Sequence, residues 1–87
     1  MFALIWSYAA LDDLADFYVA ADLQERARMA AGVEALNARL RSDPLAEGES
    51  RDGTFRVTFI SPLVVGFHVH TQGQLVRVVS VRRYGKQ

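Results

Sequence analysis

The chain has 87 residues, 51% of them hydrophobic, with ten acidic and ten basic side chains and no cysteine. This length suits one domain, residues 1–87, and the missing cysteines exclude a disulfide framework or a thiolate metal site. No apolar run nears the ~20 residues of a membrane helix, and FALIWSY has no basic leader before it, so a soluble, cytoplasmic protein without membrane contact is expected. The zero net charge hides a division. Residues 1–50 hold nine acids against four arginines, whereas residues 51–87 hold five arginines and Lys86 against Asp52 alone. That asymmetry points either to an anionic partner for the second half or to two halves that complement each other in the fold.

Phe2–Trp6 is a short apolar run that reads as a buried strand. Leu11, Leu14, Ala15 and Tyr18 then recur at helical spacing, with Asp12, Asp13 and Asp16 on the opposite side. Asp22 and Glu25 have the form of a capping box that starts a second helix. Met29, Val33, Leu36 and Leu40 make its apolar stripe, and Asp43-Pro44 ends it. The polar, glycine-punctuated stretch 45–53 reads as a loop.

Strand periodicity follows. Phe55, Val57 and Phe59 alternate with Thr54, Arg56 and Thr58, and after Ser61-Pro62 the residues Leu63, Val65, Phe67 and Val69 alternate again. Taking Gln72-Gly73 as a two-residue hairpin loop sets His70 opposite Leu75, Val69 opposite Val76, His68 opposite Arg77 and Phe67 opposite Val78. One face then carries Val65, Phe67, Val69, Val76 and Val78 toward the helices. The other carries His68, His70, Arg77, Val79, Val81 and Arg83, joined by Arg56 if Phe55, Val57 and Phe59 point inward. The expected fold is α+β, in the order β-α-α-β-β-β. A two-helix hairpin packs on one face of a small, mainly antiparallel sheet, leaving a basic and partly apolar face open.

ALDDLADFYVAAD (10–22), RDGTFRVTF (51–59) and LVRVVSVRRY (75–84), in this order and at this length, resemble the RelE/ParE family of bacterial toxins. The resemblance spans nearly the whole chain. It implies the toxin half of a type II toxin–antitoxin, or plasmid stabilisation, module, neutralised by a cognate antitoxin whose C-terminal segment wraps the toxin. One branch of the family cleaves messenger RNA, usually on the ribosome; the other poisons DNA gyrase and is not a nuclease. Either a homodimer or a toxin–antitoxin hetero-oligomer fits this picture.

Cleaving RNA through its 2′-hydroxyl needs a base, cations for the phosphorane charge and an acid for the leaving oxygen. The resemblance implies phosphate contact at Arg56 and roles for Arg83 and Tyr84 near the C-terminus, with His68 or Tyr84 in proton transfer. Arg51, Arg77, Arg82, His70 and Lys86 are the residues expected to contact RNA or another target. A solvated strand residue is the competing reading for each arginine. His68 and His70 share a face at i, i+2, but no carboxylate or third ligand is near in sequence, so no metal site is expected, nor any cofactor. The nuclease set is incomplete here. Gly85, Lys86 and Gln87 stand where related nucleases place a terminal histidine or tyrosine, and Lys86 is the only lysine. Inhibition of a gyrase- or ribosome-directed kind by binding is therefore the leading expectation; a ribosome-dependent endoribonuclease is the alternative, and a binding module without toxicity is the third reading.

Overall fold

The computed structural model describes residues 1–84. Strand β1 (Ala3–Trp6) leads into helix α1 (Tyr8–Ala20) and helix α2 (Leu23–Ser42), followed by a 3₁₀ turn at Pro44–Ala46. Strands β2 (Glu49–Asp52), β3 (Phe55–Ile60), β4 (Leu63–His70) and β5 (Leu75–Arg83) complete the chain. The helix starts are capped as their residues dictate: Ala10 N–H donates to Ser7 Oγ at 3.1 Å and Glu25 N–H to Asp22 Oδ1 at 2.8 Å. Between the helices, Arg26 donates to the carbonyls of Tyr18 (2.9 Å) and Ala21 (3.0 Å), satisfying acceptors that the end of α1 leaves open.

The five strands form one sheet in the order β1-β5-β4-β3-β2; β1 runs parallel to β5 and every other pairing is antiparallel. The two helices pack on one face. Ala10, Leu14 and Ala21 with Met29, Leu36 and Leu40 meet Leu63, Val65, Phe67, Val69, Val76, Val78 and Val81 in a single buried cluster. Trp6, Phe17 and Tyr18 lean on this cluster, and Trp6 also donates its indole N–H to Asn37 at 3.0 Å, tying β1 to α2. The expected α+β fold is present, and the β4–β5 register matches the hairpin reading from His70–Leu75 to Phe67–Val78.

Four expectations are corrected. The stretch read as a loop contains β2, whose residues are all exposed and carry no alternation to betray them. In α1, Leu11 and Ala15 face solvent; the buried side runs through Ala10 and Leu14 instead. The inward set of β3 is the reverse of the expected one: Arg56, Thr58 and Ile60 pair with Phe67, Val65 and Leu63 and share their inward face. Finally, the register of β5 shifts after Val78, so that Phe67 faces Val78 while Gly66 faces Ser80, with Val79 as the extra residue of a β-bulge. Beyond it every side chain changes face: Val81 and Arg83 turn inward, Ser80 and Arg82 outward.

Candidate interaction surface

The sheet face away from the helices is built from rows of paired residues. Ile5, Arg77, His68 and Phe55 stand in register across β1, β5, β4 and β3, and Asp52 of β2 follows Phe55. A second row holds Ala3, Leu75 and His70. Past the bulge come Ser80, Gly66, Val57 and Glu49, then Arg82, Val64 and Phe59.

Aromatic side chains dominate its middle and one end. Phe55 lies 5.2 Å from His68 between ring centroids, and His68 lies 6.0 Å from His70 with the rings only 14° from parallel. Gly66 makes room for this ladder. A Cβ there would sit 2.8 Å from the Phe55 ring and 2.5 Å from Ser80 Oγ, so only glycine lets the phenyl ring lie across β4. At the far end Phe59 and Tyr84 meet edge to face at 5.2 Å, and both remain more than half exposed. Near β1, Ile5, Trp6, Ser7, Tyr8 and Arg77 line an open cleft of ≈ 440 Å³.

The residues expected to act together are separated by this geometry. Arg77, Arg82, His68, His70 and Tyr84 lie on or beside the open face, and among the described residues neither Arg77 nor Arg82 has a carboxylate within ion-pair distance. Arg56 and Arg83 do not join them. Arg56 points to the helix side, where its guanidinium donates to the carbonyls of Glu47 (3.1 Å), Leu45 (3.0 Å) and Gly48 (3.3 Å). Arg83 donates to Glu25 at 2.6 Å, a half-buried pair that links β5 to the start of α2. Arg51 pairs with Glu49 at 2.7 Å on the exposed edge strand. Lys86 lies outside the described residues.

Beside Arg56, Glu47 accepts from Arg39 through both oxygens (2.8 and 3.2 Å) and from the hydroxyl of buried Thr58 at 2.7 Å. The hydrogen bond from Arg39 holds the Glu47 carboxyl below its ordinary value; burial opposes this, and the Thr58 hydroxyl reinforces it. The same bond raises Arg39. Burial pushes the Tyr18 phenol up. Arg39, Thr58 and Glu47 brace the loop against the sheet, and neither they nor Tyr18 face the open surface.

Phe55 and Phe59, expected to point inward, are open-face residues. The signal was available: treating Ser61-Pro62 as a two-residue loop sets Ile60 opposite Leu63, which sends Arg56, Thr58 and Ile60 inward. The bulge at Val79 has no comparable mark, because VRVVSVRR alternates acceptably in either frame.

No protein-family model and no curated protein sequence matches this chain. Solved structures do. A chain from the chromosomal ParDE toxin–antitoxin system of P. aeruginosa superposes with a TM-score of 0.74 at 18% identity, covering 97% of both chains. The YoeB/ParE toxin of Agrobacterium tumefaciens gives 0.72 at 22% identity over 95% of this chain and 99% of that one. The RelBE2 toxin–antitoxin complex of Mycobacterium tuberculosis gives 0.70 at 15% identity over 98% and 93%. The chain therefore has the RelE/ParE toxin fold, essentially end to end.

Proposed function

We propose that this protein is the toxin component of a type II toxin–antitoxin module. In this reading it acts in the cytoplasm by binding an essential target, gyrase- or ribosome-directed, and is neutralised by a cognate antitoxin. The observation that carries it is the end-to-end fold correspondence with chains of the ParDE and RelBE2 toxin–antitoxin systems, nearly complete in both directions. The open face supports it physically. Exposed Ile5, Phe59 and Tyr84 beside Arg77 and Arg82 form an apolar and cationic surface of the kind that partners cover.

A contact surface accounts for the arginines better than a phosphate-cleaving site. Arg56 and Arg83, the two cations assigned to phosphate, already have acceptors within the fold. The nuclease alternative then rests on Arg82, Tyr84 and His68, spread along the sheet. Tightly controlled expression in a bacterial host should arrest growth, and co-expression of the adjacent gene should relieve the arrest. Arg77→Glu with Arg82→Glu should abolish the arrest while leaving the melting temperature within about 2 °C, since exposed charges contribute little stability. Unimpaired growth on wild-type expression would overturn the toxin reading. Transcripts cut at discrete positions, with plasmid topology unchanged, would favour the nuclease alternative.

A further inference from the structure

We propose that His68 and His70 form a surface site for a divalent transition-metal ion of the zinc, nickel or copper class, which imidazole nitrogens favour. The two residues stand two apart on β4 and project from the same face, their rings 6.0 Å apart and 14° from parallel. At a metal–nitrogen distance of about 2.0–2.1 Å and tetrahedral angles, two coordinating imidazoles have centroids about 5 Å apart. A closure of roughly 1 Å is thus needed, together with a turn of one ring out of the near-parallel stack so that both in-plane lone pairs aim at one ion; exposed His70 can supply both by side-chain rotation.

His68 is oriented for the task. Its Nδ1 lies 2.7 Å from the Thr54 hydroxyl oxygen, and Phe55 packs against its ring. In the tautomer with the proton on Nδ1, His68 donates to Thr54 and presents the Nε2 lone pair to a metal. That is the outer-shell support that metal-binding histidines use.

Arg77 pairs with His68 across the sheet, but its side chain lines the cleft with Ile5, Trp6, Ser7 and Tyr8 on the β1 side. The only acid in that row, Asp52, stands beyond Phe55. Among the described residues no third ligand joins the pair. The described residues thus supply two ligands, and the remaining positions would be left to water. This site is independent of the toxin reading, because it requires neither a target nor an antitoxin.

Titrating tag-free, full-length protein with zinc chloride near neutral pH, by calorimetry, should show one ion per chain. The imidazole NMR signals of both histidines should shift together. His68→Gln and His70→Gln should each weaken binding at least about 10-fold, and Thr54→Val about 10-fold. Unchanged zinc affinity in His70→Gln, or no binding by millimolar zinc, would overturn the proposal. Because His70 is exposed, that variant decides the matter even if His68→Gln fails to fold.

Discussion

Arg56→Ala is the most revealing substitution in this chain, because its effect separates an active-site arginine from a structural one. A solvated strand arginine contributes almost nothing to stability, and its loss would leave the melting temperature unchanged. Here the guanidinium instead donates to three backbone carbonyls, those of Leu45, Glu47 and Gly48, and draws the turn before β2 onto β3. One of the three contacts is partly buried and two are exposed. Each is a charge-assisted bond, so after discounting for solvent the loss comes to about 2 kcal/mol. For a domain of this size each kcal/mol shifts the melting point by roughly 4–8 °C, so the variant should melt about 10 °C lower by circular dichroism. Arg56→Lys should recover only part of this, since an ammonium cannot reproduce the planar fork. A melting temperature within about 2 °C of the parent would refute the reasoning and return Arg56 to solvent, where a phosphate could reach it. An activity change in Arg56→Ala therefore has to be read beside its lowered stability before it is assigned to chemistry.

The neighbouring contacts give further tests. A methyl group at Gly48 would lie 2.2 Å from the Val57 carbonyl oxygen, at a φ of +66°, while Gly53 has a φ of +58° with nothing within 4 Å. In urea titrations Gly48→Ala should therefore cost about 3 kcal/mol or more, and Gly53→Ala only about 1 kcal/mol; equal costs would show that the close approach is not there. Arg39 and Thr58 hold the Glu47 carboxyl below its ordinary 4.5, so the folded chain binds that proton more weakly than the unfolded one. The resulting stabilisation is complete above about that ordinary value and disappears as pH falls through the depressed one. Melting curves taken from pH 7 down to pH 3 should thus fall less steeply in Glu47→Gln than in the parent; parallel curves would contradict the assignment. Arg83 and Glu25 are half-buried partners, and a double-mutant cycle with alanine should return a coupling of about 1 kcal/mol. Zero coupling would free Arg83 for a functional role.

Arginines that look alike in the sequence thus divide into two groups. Arg56 and Arg83 secure the loop and the start of α2; Arg77 and Arg82 face outward beside exposed aromatic rings. Binding experiments should therefore alter the outward pair first, because those substitutions leave the fold intact.

Local chemistry determined most of the architecture. Ser7 and Asp22 cap helices that apolar spacing had already marked, Asp43-Pro44 stops the second, and Gln72-Gly73 sets the β4–β5 register through its short loop. These features depend on neighbours within a few residues, so they can be read without tertiary information. The makeup of the open face could not be read in that way. Side chains alternate with a period of two, so one extra residue at Val79 exchanges the inward and outward sets for the rest of β5. Nothing within β5 favours that insertion; it is settled by pairing with β4, where Gly66 yields space to Phe55 and Ser80. Strand β2 escaped for a related reason: ESRD buries nothing, and its backbone is ordered only by pairing with β3 and by the Arg56 clasp on the turn before it. The sequence determined that a sheet with an open basic face would form, and long-range pairing decided which arginines that face displays.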